Sequence, residues 1–247
     1  MRDARPLMGM PIEIEIVGTN VEKTIDDAFT YLTSIDERFS TYKDTSEISR
    51  LNRGELQAEE ASDEMREVFA LAEKTKQETR GFFDMRRPDG NLDPSGIVKG
   101  WAIYHSAKLI HDAGYGDYFV NAGGDIAVGG KNAKGEEWSI GIRNPFNSAE
   151  IVKVLYPKGR GVATSGSYIR GAHIYNPLAP EEKLEEILSL TVVASDVLEA
   201  DRYATAAFAM GKEGITFIEQ ALGLEGYMID KSGLATYTSG FSAYIQP

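Results

Sequence analysis

The sequence contains no cysteine, which removes disulfides, thiolate-held zinc and cysteine nucleophiles from consideration. Positive charge is scarce as well. Lys and Arg number 26 against 38 Asp and Glu, and the formal net charge of -12 repels polyphosphate backbones and anionic membrane surfaces. Nucleic acid is therefore not an expected partner. No stretch approaches the roughly 18 continuous apolar residues of a membrane span. Residues 1–8 lack the apolar core of a signal peptide, so the expected location is cytoplasmic, or extracytoplasmic if a signal has been removed. Low-complexity segments, repeats and the G-x-G-x-x-G turn of dinucleotide-binding folds are also missing. Asn121-Ala122-Gly123-Gly124-Asp125 lacks that spacing and leads into another strand, so it reads as a tight turn beside a ligand.

What is present is a 247-residue chain of 42% hydrophobic content, enough for one large domain over 1–247 with a substantial core. Residues 11–17 alternate, with Ile12, Ile14 and Ile16 on one face and Glu13 and Glu15 on the other, as in a half-buried strand. Val21, Ile25, Ala28, Phe29, Leu32, Ile35 and Phe39 then follow helical spacing behind a Thr19-Asn20 cap. A second helix is expected from a Ser62 cap to Gly81, and a third from a Ser95 cap to Gly114. Short strand-like runs follow at 118–121, 125–128, 138–142, 151–155, 161–163 and 188–194. Helical spacing returns over 196–210 and 215–222, ahead of a final strand pair at 227–229 and 243–245. Helices early and late around a block of strands imply an α+β fold with substantial antiparallel sheet.

Asp201 and Thr205 are four residues apart in the late helix, so their oxygens share a face and can address one hard cation, with the Gly96 carbonyl a plausible further donor. An acid and an inward threonine on an ordinary helix would give the same spacing. Asp93-Pro94-Ser95-Gly96-Ile97-Val98-Lys99-Gly100 offers a helix N-terminus with a lysine one turn in, a geometry that suits a phosphate and equally suits a plain capped helix. Val162-Ala163-Thr164-Ser165-Gly166 is a second hydroxyl-rich turn of this kind. An anionic ligand needs local positive charge, and Lys99, Arg170, Arg86 and Arg87 are the nearest sources, with a bound cation supplying the rest. His173, near Arg170, suits a general base or a structural histidine, whereas His105 and His111 have no partners at metal spacing. Tyr42, Phe82 and Phe83 offer flat faces for a heterocycle or for the core.

Taken in order, Met8-Gly9, Arg38-Phe39-Ser40-Thr41-Tyr42, Ser46-Glu47-Ile48-Ser49-Arg50-Leu51-Asn52, Gly81-Phe82-Phe83-Asp84, Asp93-Pro94-Ser95-Gly96, Lys99-Gly100, Asn121-Ala122-Gly123-Gly124-Asp125, Ala163-Thr164-Ser165-Gly166, His173-Ile174 and Ala200-Asp201 to Thr205 resemble the ApbE family of FAD:protein FMN transferases over nearly the whole chain. The resemblance implies a T-fold-like α+β architecture, largely antiparallel sheets flanked by helices, with a ligand cleft between two intimately packed halves. It implies that FAD is the donor substrate, that FMN passes to a threonine hydroxyl of an acceptor flavoprotein, and that AMP leaves with Mg2+ assistance. It places Gly96, Asp201, Ala204 and Thr205 at the magnesium site. Flavin-nucleotide contacts are implied at Met8, Tyr42, Phe82, Phe83, Asp84, Asp93, Lys99 and Tyr175, and catalytic roles for His173, Lys99 and Asp201. An FAD pyrophosphatase and a flavin-binding protein without turnover are the rival readings. Three departures bear on them. Only residues 85–92 separate Asp84 from Asp93 where relatives usually carry a longer insertion, Asn176 stands in place of the usual aspartate, and Leu178-Ala179-Pro180 replaces a Thr-Gly turn.

Overall fold

A computed structural model describes residues 1–167 and 174–247. The chain opens with β1 (Arg2–Leu7) and β2 (Met10–Ile16), an antiparallel hairpin turned by Met8 and Gly9, both at positive φ. Then come α1 (Glu22–Phe39), α2 (Glu47–Asn52), α3 (Asp63–Glu78) and α4 (Ser95–Asp112). Strands β3 (Tyr118–Ala122), β4 (Asp125–Gly129), β5 (Ile140–Asn144), β6 (Asn147–Leu155), β7 (Gly161–Gly166) and β8 (Ile187–Ala194) follow. The chain closes with α5 (Val197–Ala209), α6 (Glu213–Gln220), β9 (Glu225–Asp230), β10 (Ala235–Tyr237) and a 3-10 turn at Phe241–Tyr244.

Eight strands form one antiparallel sheet in the order β1-β2-β3-β4-β7-β8-β9-β10, and β5 and β6 pair as a separate ribbon. The sheet has two sewn halves. Long ladders run within β1 to β4 and within β7 to β10, but β4 and β7 share a single register pair, Ile126 with Val162. Each half carries its own helical core: Ile12, Ile14, Ile25, Leu32 and Trp101 lie in one cluster with α1 and α4, and Leu190, Val192, Ala204, Phe208 and Ile218 in another beneath α5 and α6. A third cluster, with Trp138, Ile140, Val162 and Phe241, brings residues of the ribbon against the sheet. Helices α4 and α5 pack on each other and join the halves. Among the described residues no helix is long and apolar enough to cross a membrane.

Three local expectations are corrected. Helix α1 starts from Val21 with no side-chain cap, because Asn20 sits at φ 58 as part of the turn. Ser95 is the first residue of α4 rather than its cap, and the carboxylate of Asp93 accepts its N–H at 3.0 Å. Residues 243–245 do not form a strand, since they belong to or follow the terminal 3-10 turn, and β10 takes the place beside β9. Ser62 does cap α3, accepting from Met65 N–H at 3.2 Å.

Candidate functional site

A cleft lies where α4, α5, the start of the segment after α3, and the end of β7 meet, with about 1010 Å³ of empty space including its open mouth. The late helix supplies Asp201 and Thr205, and α4 supplies Gly96 and Lys99. Helices of side-chain-bearing residues could not approach this closely. A Cβ at position 100 would stand 2.6 Å from the Cβ of Asp201, so glycine is what lets α5 lie on α4. Gly100 N–H then donates to Asp201 Oδ2 at 2.7 Å. In a regular helix that N–H points at the Gly96 carbonyl, whose two lone pairs let it accept a second partner. Gly96 also has its neighbours close, since a Cβ there would meet Phe83 Cε2 and Thr205 Cγ2, each at 3.1 Å.

The floor is charged. Lys99 Nζ lies 2.5 Å from Asp125 Oδ2 and 3.6 Å from Asp201 Oδ1. Asp125 is 1% exposed and Asp201 2%. Its other oxygen, Asp125 Oδ1, accepts from Thr164 N–H at 3.1 Å across the seam between the halves. With both carboxylates ionised, the floor would carry one negative charge more than its single ammonium balances. Burial pushes the Asp201 carboxyl up to about 7; Lys99 opposes the rise, Asp125 adds to it, and the Gly100 N–H opposes it.

The neighbouring wall is aromatic and polar. Phe82, Phe83, Asp84, Asp93 and Tyr175 line the cleft. Phe83 is fixed from behind, its N–H donating to the Thr79 hydroxyl at 3.2 Å. Asp84 is held by Lys76 at 2.7 Å and accepts from Arg86 N–H at 2.8 Å. The shortened segment 85–92 makes a small antiparallel turn, with Arg86 bridged to Leu92 and Asp93 N–H returning to the Met85 carbonyl at 2.8 Å. Asn52 clamps it by bonding both the N–H and the C=O of Leu92, at 2.8 and 3.0 Å. The turn carries Arg87 to the cleft.

The family model for ApbE matches residues 8–87 and 85–228. The chain belongs to the ApbE family. It is 31% identical over 180 residues to the FAD:protein FMN transferase of Klebsiella pneumoniae (strain 342), covering 69% of this chain and 50% of that protein. The chain thus spans about half the length of that relative. Its fold is that of the flavin transferase ApbE from Vibrio cholerae, with TM-score 0.87, 23% identity, and 99% and 98% of the two chains covered. The ApbE protein from Thermotoga maritima gives TM-score 0.88 at 19% identity, covering 100% and 99%. The α+β architecture expected from the ApbE resemblance is the one observed.

Of the residues expected at an ApbE site, the cleft brings together Phe82, Phe83, Asp84, Asp93, Gly96, Lys99, Tyr175, Asp201 and Thr205. Three stand elsewhere. Tyr42 projects from the loop after α1 and is 97% exposed. Met8 occupies the β1–β2 turn and packs at the edge of the first core cluster. Ala204, next to Thr205 on α5, has its side chain buried in the core beneath that helix. His173 and Arg170 lie outside the described residues. Asn176 serves a local turn, its carboxamide oxygen accepting from Leu178 N–H at 2.9 Å. Asp125 was not singled out by the sequence as a site residue; its signal was the Gly-Gly-Asp turn that opens β4.

The floor fits a hard divalent cation. Its donors are oxygens, namely the Asp201 carboxylate, the Thr205 hydroxyl and the Gly96 carbonyl, the ligand type that hard divalent cations take. No cluster of three or more His, Asp or Glu of cation-binding kind occurs among the described residues, so the protein donor set is sparse, as suits an ion completed by water and substrate phosphates.

Proposed function

We propose that the chain binds FAD in this cleft and transfers its FMN moiety to a threonine hydroxyl of an acceptor protein, releasing AMP, with Mg2+ bound by Asp201, Thr205 and the Gly96 carbonyl. One observation carries the reading: buried hard oxygen donors and an aromatic wall line one and the same cleft. A bound Mg2+ would neutralise charge on the diphosphate. The names borne by the ApbE relatives support the same substrate and acceptor class.

The residues divide the work. Phe82 and Phe83 offer apolar faces to the flavin ring system or to the adenine. The Lys99 ammonium, steadied by Asp125, stands where negative charge on the diphosphate is met electrostatically. Attack by the acceptor's hydroxyl oxygen on the phosphorus of the FMN half forms the new phosphoester bond. The bond from that phosphorus to the bridging oxygen breaks, and AMP departs with that oxygen. The hydroxyl proton passes to a base, the role assigned to His173 from its residue type. Asp201 ties α4 to α5 through Gly100, and its second oxygen would be available to a bound cation.

The experiment is incubation of the purified chain with FAD, MgCl2 and a threonine-bearing acceptor, followed by intact mass measurement of the acceptor and quantification of AMP. Acceptor heavier by one FMN unit, lost on addition of EDTA and in Asp201→Ala, is the expected result. Free FMN and AMP without labelling would assign a pyrophosphatase instead, and FAD binding without AMP would assign a binding protein.

A further inference from the structure

One residue beyond Asp201 on α5 lies a buried guanidinium that does not face the cleft. Arg202 is 2% exposed, and each of its five N–H groups has an acceptor. Nε and Nη2 reach the two oxygens of Glu199 on α5, at 2.9 and 2.6 Å. Nη1 reaches Glu78 Oε2 at 2.5 Å and Thr75 Oγ1 at 3.2 Å, both on α3. Nη2 also meets the Tyr203 hydroxyl at 3.2 Å, and that hydroxyl donates onward to Glu78 at 3.1 Å. Burial lowers the basicity of such a group; the bonds from Glu199 and Glu78 outweigh it and raise Arg202 above its ordinary value.

The partners on α3 lead back to the cleft. Thr79 donates to the Thr75 carbonyl at 2.7 Å, and its hydroxyl accepts the N–H of Phe83 at 3.2 Å. The Phe83 ring and the Thr205 methyl then close on the same spot, 3.1 Å from where a Gly96 side chain would begin. The path runs from α5 through Arg202 to α3, on through Thr79 to Phe83, across Gly96, and back to α5 at Thr205. It is a closed circuit around one side of the cleft.

We propose that Arg202 is a positioning residue: by latching α5 to the end of α3 it sets the placement of the cation-side oxygens of Asp201 and Thr205 relative to the aromatic wall at Phe83. The inference rests on the reading of Asp201 and Thr205 as cation-side residues. Lysine, with a single point charge, cannot reproduce five directed bonds to groups on two helices. Losing one acceptor on α3 leaves a buried guanidinium N–H unpaired and slackens the latch.

The test uses amide hydrogen exchange in the ligand-free chain and Mn2+ affinity by electron paramagnetic resonance, on Arg202→Lys and on the milder Thr75→Val. Exchange at Phe83 N–H, bonded to Thr79 beyond α3, and at Gly100 N–H, bonded to Asp201 on α5, should accelerate about tenfold, with amides in β8 unchanged. The Mn2+ dissociation constant should rise by about tenfold, in the range seen when outer partners of metal ligands are altered. Unchanged exchange at both amides, or acceleration shared equally by β8, would overturn the proposal, since the second pattern is global destabilisation. Should Arg202→Lys fail to fold, Thr75→Val decides. Absence of AMP release by the parent chain would overturn the transferase reading and leave the exchange comparison intact.

Discussion

Asp201 lies directly over Gly100, accepting its N–H at 2.7 Å where a Cβ at that position would come within 2.6 Å of the Asp201 Cβ. One contact therefore sets both the approach of two helices and the aim of a carboxylate.

Gly100→Ala tests this pair. The added methyl meets Asp201 and the Val197 carbonyl, 2.9 Å away, so α5 must back off. Overpacking of this kind costs roughly 1–3 kcal/mol, a melting-temperature drop of several degrees for a chain this size. Mn2+ binding should weaken with it. Calorimetry and Mn2+ titration check both, and an unchanged affinity would separate the helix contact from the aim of the carboxylate.

Asp125→Asn keeps an oxygen for Thr164 N–H but removes the charge held 2.5 Å from Lys99. Lys99 then keeps Asp201 at 3.6 Å, and the floor has one carboxylate fewer. Weaker Mn2+ binding and a fall in AMP release of roughly 10–100-fold are expected, the scale typical of groups that orient a metal's ligands. Steady-state kinetics with FAD as the varied substrate should place the loss in kcat more than in KM.

Tyr42 and Phe83 separate a surface aromatic from a wall aromatic. Tyr42→Ala should leave stability and FAD affinity unchanged within about twofold, because its ring touches water. Phe83→Ala, at a site 4% exposed, should cost about 3–5 kcal/mol and weaken FAD binding followed by flavin fluorescence. Equal effects from the two would move the flavin wall toward the loop after α1.

Asp230 gives a pH-dependent control away from the cleft. The Ser232 hydroxyl, with the Ser232 and Leu234 amides, holds its carboxyl down to about 2, against the effect of burial. A depressed carboxyl stabilises the fold above the unfolded-state value near 3.9 and loses that contribution as pH falls through about 2. The stability gap between the parent chain and Asp230→Asn should therefore be full at pH 5 and close as the pH falls below 4, measured by urea unfolding. A gap independent of pH would mean that the turn after β9 draws nothing from the charge.

Where the information was local, the sequence was readable. Ile12, Ile14 and Ile16 announce β2 because alternation alone decides which face is buried. The spacing from Val21 to Phe39 gives α1 its apolar stripe. Strand β1 escaped notice because Arg2–Leu7 is an edge strand with charged residues and Pro6, half exposed along its length. The cap expected at 19–20 is missing because Asn20 sits at positive φ in the turn, and that at 95 because the Asp93 carboxylate takes the Ser95 N–H. In the site, Asp201 and Thr205 were legible from their i,i+4 spacing. Asp125 and Arg202 were not, since a carboxylate that meets Lys99 and a guanidinium that meets Glu78 are defined by partners 26 and 124 residues away.

The single register pair between β4 and β7 has a consequence for how this molecule tolerates change. With one rung of backbone pairing at that border, the bond from Thr164 to the Asp125 carboxylate works as a surrogate rung, so the carboxylate that holds the cleft's Lys99 is simultaneously a stitch in the sheet. Editing the chemistry at position 125 edits the architecture too, and a redesign that seeks a new acceptor or donor here must first supply another fastening for the border.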